Sequence, residues 1–145
     1  MSPSNRLAAI PIVTDAGATA PEGLPTGNLA PVLHEIRHAL VALIETGAVH
    51  VIDLAAMPFA PGEEDRLREI LGGGEVSATL NVLGCSTVKE TAIAGVWWVE
   101  HHNALGESLG KTLEITRMPE ILFSQPEDLR ATLADLDRRM AAMGD

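Results

Sequence analysis

The chain has 145 residues, which fits one compact domain, and 46% of them are hydrophobic although only two Trp, two Phe and no Tyr occur. A net charge of −10 repels phosphate backbones and anionic headgroups, so nucleic acid and membrane surfaces are disfavoured as partners. The single cysteine, Cys85, excludes an internal disulfide framework. Together with the absence of a secretory signal or a long apolar run, it predicts a cytoplasmic protein.

The first segment, residues 1–27, is rich in Ala, Pro, Gly and Thr and is predicted to form a flexible or extended N-terminal arm. Residues 28–145 are predicted to form a single module. It begins with a helix that has Asn28 as its N-cap and Gly47 just beyond its end. The apolar stripe of this helix recurs at helical spacing and consists of Leu33, Ile36, Leu40, Leu43 and Ile44.

The next segments alternate between strand and helix patterns. The β-branched run 48–54 predicts a strand, and Glu63-Glu64-Asp65 begins a short helix that the three glycines at 72–74 end. In Glu75–Val82, apolar and polar residues alternate, which predicts a strand with one face on the core and the other face wetter.

The last third predicts a hairpin and a final helix. The strand around Val96–Val99 is followed by a polar hairpin loop, Asn103–Glu107, and by a return strand over 109–116. The final helix follows Ser124, which has capping-box spacing to Glu127. We expect it to pack on its own sheet, and pairing with another helix is the alternative. Its apolar stripe is Leu129, Leu133, Leu136, Met140 and Met143. The order of elements indicates an α+β fold in which a mostly antiparallel sheet of about four to five strands is covered by about three helices.

One motif carries possible metal chemistry. His34-Glu35-Ile36-Arg37-His38 satisfies the zinc-protease pattern H-E-x-x-H, but no third ligand follows at the extended spacing. The two imidazoles are predicted to lie off the apolar stripe, and His101 and His102 should point to opposite faces of a strand. The sequence therefore assigns no catalytic, cofactor-binding or metal-ligating residue, and we expect no enzyme activity.

The consecutive tryptophans are better suited to a protein–protein surface. Trp97 and Trp98 should point to opposite faces of the sheet, so one indole is exposed unless helices bury both. Tryptophan is enriched at interface hot spots. The residues predicted to bind a partner are Trp97, Trp98, Glu75, Ser77 and Glu90.

An ordered set of short sequence words resembles the C-terminal module of the HupH/HyaF hydrogenase expression/formation family. The words are Gly74–Ala78, Lys89-Glu90-Thr91, Gly95–Val99, the hairpin at 103–107, Leu113–Thr116 and Pro119–Leu122. With the preceding segment from Val51, the resemblance extends over about three quarters of the chain. The resemblance also implies that longer members carry sequence ahead of this module.

The resemblance implies a cytoplasmic, chaperone-like accessory role in the maturation of a nickel–iron uptake hydrogenase. The implied partners are the precursor of the iron–sulfur small subunit, other hydrogenase accessory proteins, or both. An alternative within the same pathway is a nickel-handling protein that uses His34, His38 and one further histidine. The sequence does not predict an oligomeric state, nor any cofactor.

Overall fold

The computed structural model describes residues 27–81 and 83–144, which contain a five-stranded antiparallel sheet and three α-helices. The helices are α1 (Leu29–Thr46), α2 (Glu63–Leu71) and α3 (Pro126–Ala142). The strands are β1 (His50–Asp53), β2 (Ser77–Leu80), β3 (Cys85–Glu90), β4 (Val96–His102) and β5 (Ser108–Ile115). The predicted α+β class is therefore confirmed. The predicted arm at 1–27 lies, apart from Gly27, outside the described residues.

The five strands lie in the order β1-β5-β4-β3-β2, and each neighbouring pair is antiparallel. The predicted hairpin loop joins β4 to β5. The side-chain oxygen of Asn103 accepts hydrogen bonds from the backbone N–H groups of Leu105 and Glu107, each at 2.9 Å. This Asx-type arrangement replaces the ladder bonds that the loop residues lack.

One face of the sheet, here called the helix face, is covered by α1 and α2. Its buried core joins side chains of both helices to the central strands. The members are Val32, Ile36, Ala39, Ile52, Leu54, Leu67, Leu71, Val96, Trp98, Leu113 and Ile115. At its edge the Arg68 guanidinium lies 4.2 Å from the centroid of the Trp98 ring, a cation–π contact that also covers the indole.

The boundaries of α1 match the prediction, but its N-cap works differently. The Gly47 N–H donates to the Leu43 carbonyl at 2.9 Å, with Gly47 at a φ of 76°. Asn28 occupies the cap position, yet its side chain donates to the Pro58 carbonyl at 3.1 Å and makes no capping bond. The predicted stripe is wrong at Ile44, which is 80% exposed, whereas Leu40 and Leu43 pack against the helix-face core.

The opposite face of the sheet, here called the open face, has its own smaller core. Val88, Trp97 and Val99 are buried there, and Ala78, Leu80 and Leu122 pack against them. The predicted alternation of the strand at 75–82 is thus present in β2. Its apolar side chains meet this second core, since Ala78 pairs with Val88 across the ladder.

The expectation that α3 packs on its own sheet is wrong. No residue of α3 is buried, and none of its apolar side chains packs against either core. Leu133 is 71% exposed and Met140 is 57% exposed. The helix therefore presents an unpartnered apolar stripe.

The packing of α2 predicts different losses of stability when two of its residues, about one turn apart, are shortened to alanine. Leu67 is 0% exposed, so Leu67→Ala should lower the free energy of unfolding by about 2–5 kcal/mol through lost burial and the cavity left behind. Ile70→Ala, on the exposed side of the same helix, should change it by less than about 0.5 kcal/mol. Urea denaturation of both variants measures the difference. Equal losses would contradict the described orientation of α2.

Candidate partner-binding groove

A groove of about 890 Å³ lies on the open face, between the sheet and the segment 117–123. We call it the Trp97 groove. Its lining combines strand residues with most of that segment: Val49, Val51, Val76, Trp97, Glu114, Thr116, Arg117, Met118, Glu120, Ile121, Leu122 and Phe123. Most of these side chains are apolar, and a concave apolar surface with a few polar groups is the usual form of a binding site.

The wall at 117–123 is held close to the sheet by local hydrogen bonds. The Thr116 hydroxyl donates to the Met118 carbonyl at 3.2 Å and accepts from the Met118 N–H at 3.3 Å. A 3₁₀ turn over Glu120–Leu122 follows, in which the Leu122 N–H donates to the carbonyl of the buried Pro119 at 3.1 Å. The turn directs Leu122 into the open-face core and leaves Ile121 and Phe123 partly exposed.

Trp97 joins this wall to the sheet. Its indole N–H donates to the Thr116 carbonyl at 3.1 Å, and only 5% of the residue is exposed. A buried indole N–H needs such a partner, because an unpaired donor away from water is costly. Trp97 therefore fixes the shape of the groove more than it offers contact area.

The exposed apolar area lies around this groove. Val51 and Phe123 are each 51% exposed, and Val49, Val76 and Met118 are also exposed. Single exposed apolar residues are ordinary, whereas a contiguous group at a concave site marks an interaction surface.

Glu114 is the ionisable group that lines the groove from the sheet. It pairs with Trp97 on one side and with Val51 on the other. Burial raises the pKa of its carboxyl, nearby Glu120 raises the pKa further, and His101 acts in the opposite direction. Within the described residues no hydrogen bond or salt bridge holds the Glu114 carboxylate, and His101 is the group whose charge favours its ionised form.

The five residues predicted to bind a partner do not form one surface. Trp97 and Glu90 pair with each other and lie on the open face, where Trp97 lines the groove. Ser77 and Trp98 lie on the helix face, with Ser77 exposed at the sheet edge and Trp98 only 7% exposed. Both indoles are thus buried, and Glu75 is exposed just ahead of β2. Partner binding by these residues stays a prediction.

The histidines lie in two regions, one on and just after α1 and one on β4, where His102 pairs with Cys85 of β3. His34 and His38 lie on the exposed side of α1, and the Glu35 carboxylate pairs with His50 Nε2 at 2.7 Å. His101 Nδ1 lies 2.8 Å from the Ser86 hydroxyl. Among residues 27–81 and 83–144, no three His, Cys, Asp or Glu side chains are grouped to hold a metal ion. Nickel handling by these histidines stays a prediction.

The sequence analysis missed the segment 117–123 as a groove wall and Glu114 as a lining residue. A usable signal was present, since Met118, Ile121 and Phe123 are apolar residues in a short segment after the last strand. No helix in the described part of the chain is long and apolar enough to cross a membrane.

Comparison with known proteins places the chain in a family. The sequence profile described as "HupH hydrogenase expression protein, C-terminal conserved region" matches residues 27–143. The solved structure described as "Hydrogenase expression protein HupH from Thiobacillus denitrificans ATCC 25259" is similar, with a TM-score of 0.78 and 45% sequence identity over 82% of this chain and 99% of that chain.

Two curated relatives are also hydrogenase expression/formation proteins. The hydrogenase expression/formation protein HoxQ of Azotobacter vinelandii is 34% identical over 113 residues, 73% of this chain and 39% of that protein. The hydrogenase expression/formation protein HupH of Rhizobium leguminosarum bv. viciae is 31% identical over 109 residues, 75% of this chain and 39% of that protein. The chain thus spans about two fifths of the length of these relatives.

The raised pKa of Glu114 predicts that removing its charge increases the stability of the folded protein, and that this increase depends on pH. Because the carboxylate form is disfavoured in the folded state, the stability available when Glu114 is protonated is lost as the pH rises through the raised pKa. Glu114→Gln should therefore unfold at higher denaturant concentration than the unchanged protein at neutral pH. The difference between the two denaturation midpoints should disappear at a pH below the range in which glutamate ordinarily titrates.

Glu75→Gln is the matched control, since Glu75 is exposed outside the groove. It should leave the unfolding midpoint nearly unchanged at both pH values. A Glu114→Gln protein that is less stable than the parent at neutral pH would show that the carboxylate has a favourable partner.

Proposed function

Since this chain belongs to the family of the HupH hydrogenase expression protein, C-terminal conserved region, we propose that it is a non-enzymatic accessory protein for the maturation of a nickel–iron uptake hydrogenase. It binds an immature subunit in the cytoplasm and releases the finished one. The proposed partner is the precursor of the iron–sulfur small subunit, or another maturation factor.

The observation that carries this proposal is the exposed apolar Trp97 groove. Apolar surface that remains exposed at a concave site is available to bury the apolar surface of a second protein. An unfinished subunit exposes such surface before its cofactors and its partner subunit are in place. A shape-defined groove thus supports a binding function without a catalytic step.

The electrostatics of the groove favour one kind of segment. Glu114 and Glu120 place negative charge on its lining, and only Arg117 on the lining is basic. A segment that combines apolar side chains with a Lys or Arg would fill the groove and pair with Glu114. The chain's net charge of −10 would accelerate the approach of such a basic partner.

Release follows from differential affinity. A maturation chaperone needs only to bind the unfinished state more tightly than the finished one. Once cofactor insertion or subunit assembly buries the captured segment, the groove loses its ligand. No further chemistry is needed from the chaperone.

The proposal predicts that variants of the groove bind the precursor more weakly. Ile121→Asp combined with Phe123→Asp removes two apolar side chains of the groove wall and puts in their place carboxylates that a bound apolar segment would desolvate, which should lower capture at least tenfold. The measurement is affinity co-purification of the chain with tagged small-subunit and large-subunit precursors, each expressed separately.

Leu105→Asp serves as the matched control, because Leu105 is 84% exposed in the β4–β5 loop and does not line the groove. Its capture should equal that of the unchanged protein. Equal capture of the small-subunit precursor by the double groove variant would exclude the groove as its binding site. Retention of neither precursor by the unchanged chain would redirect the proposal to other accessory proteins.

A further inference from the structure

Two large apolar surfaces in the described chain have no partner: the stripe of α3 and the Trp97 groove. The stripe consists of Leu129, Leu133, Leu136, Met140 and Met143, which are between 48% and 83% exposed. Its spacing of four, three, four and three residues is that of a helix face designed to contact another element. Charged residues and alanines occupy most of the remaining sides of the helix.

Within one copy these two surfaces are not in contact. Phe123, at the end of the groove wall, and Gln125, just before α3, both have extended backbone conformations. No residue of α3 lines the groove, although Phe123 of the lining lies only three residues ahead of the helix. The apolar stripe packs against neither core of its own chain.

We propose that α3 of one copy lies in the Trp97 groove of a second copy, and that the exchange is reciprocal. In a dimer with twofold symmetry, the same helix-in-groove contact forms twice, so one arrangement buries both stripes and both grooves. A short connection between groove wall and helix, here Ser124-Gln125, is the kind of hinge from which such exchange arises.

The length of α3 is sufficient to cross the sheet that forms the floor of the groove. A helix of 17 residues is about 25 Å long, and a sheet of five strands is about 19 Å wide across its hydrogen-bonded direction. The helix can thus extend from the Val49 and Val51 side of the groove to the Val76 side. The groove residues on β1 and just ahead of β2 mark these two limits.

The area required is modest because it is shared. A stable interface buries about 800 Å² on each partner, and each chain here contributes both a helix face and a groove. Each of these surfaces therefore needs to bury only about 400 Å². Five long apolar side chains on the helix and a groove of about 890 Å³ are of the right scale for such a contact.

The charges of α3 and of the groove are also complementary. Arg138 and Arg139 are held by Asp135 on their own helix, at 2.7 and 2.8 Å. Arg130 lies beside the stripe and makes no ion pair within the described residues. In the groove of a second copy it can form an ion pair with Glu114 or Glu120, the two carboxylates of the lining.

This inference does not depend on the proposed function, because it concerns the purified chain alone. The first experiment is sedimentation equilibrium of the full chain over a dilution series, with no hydrogenase subunit present. The unchanged chain should have twice the monomer mass. Leu133→Asp with Leu136→Asp should be monomeric, and so should Ile121→Asp with Phe123→Asp, while Leu105→Asp should remain dimeric.

A mixing experiment separates exchange from pairing of two α3 helices. The helix variant retains an intact groove, and the groove variant retains an intact helix, so together they can form one of the two contacts. Their mixture should therefore associate more weakly than the unchanged chain but more strongly than either variant alone. This gain also shows that both variants remain folded.

A monomeric unchanged chain would overturn the proposal, since α3 would then be free or folded back on its own copy. Dimeric groove variants would also overturn it, because helix–helix pairing does not need the groove. A mixture that stays monomeric when concentrated would do the same. The helix variant should still capture a precursor, so failure of the dimer and failure of the proposed function give different results.

Discussion

The structure depends on the burial of β4 on both of its sides. All four residues of Val96–Val99 are buried, and because successive side chains of a strand point to opposite faces, Trp98 enters the helix-face core while Trp97 enters the open-face core. Each indole then fixes a neighbouring element. Trp98 lies under Arg68 of α2, and Trp97 holds Thr116 and the wall that follows it. One pair of adjacent residues thus sets both the helix packing and the groove.

Several parts of the fold could be predicted from the sequence alone. The hairpin at 103–107, the ends of α1 and the alternation in β2 follow from local chemistry: a side chain that caps a loop, a glycine with positive φ, and period-two patterning. Such signals need no knowledge of what covers a face. The antiparallel α+β class followed from the order of these elements.

What the sequence could not show is which surfaces stay uncovered. The apolar stripe of α3 has the same pattern whether it packs on its own sheet, on a partner or on a second copy, so periodicity alone led to the wrong expectation. For the tryptophans, the sequence left open whether both indoles are buried. The burial of Trp97 depends on the segment 117–123, which has no strand or helix pattern of its own and is held by the bond between Trp97 and Thr116. The predicted partner surface was therefore divided between the two faces, and Glu114 was missed.

The two proposals meet at one site, and this has a thermodynamic consequence. If α3 of a second copy and a hydrogenase precursor both use the Trp97 groove, they compete, and binding of the precursor shifts the dimer towards separated chains. The apparent affinity for the precursor is then lower than the intrinsic affinity by the fraction of grooves that are free. That reduction is a useful property for a chaperone. An apolar groove that is covered between clients is protected from non-specific association, and the same coverage favours release once the client no longer presents its apolar segment.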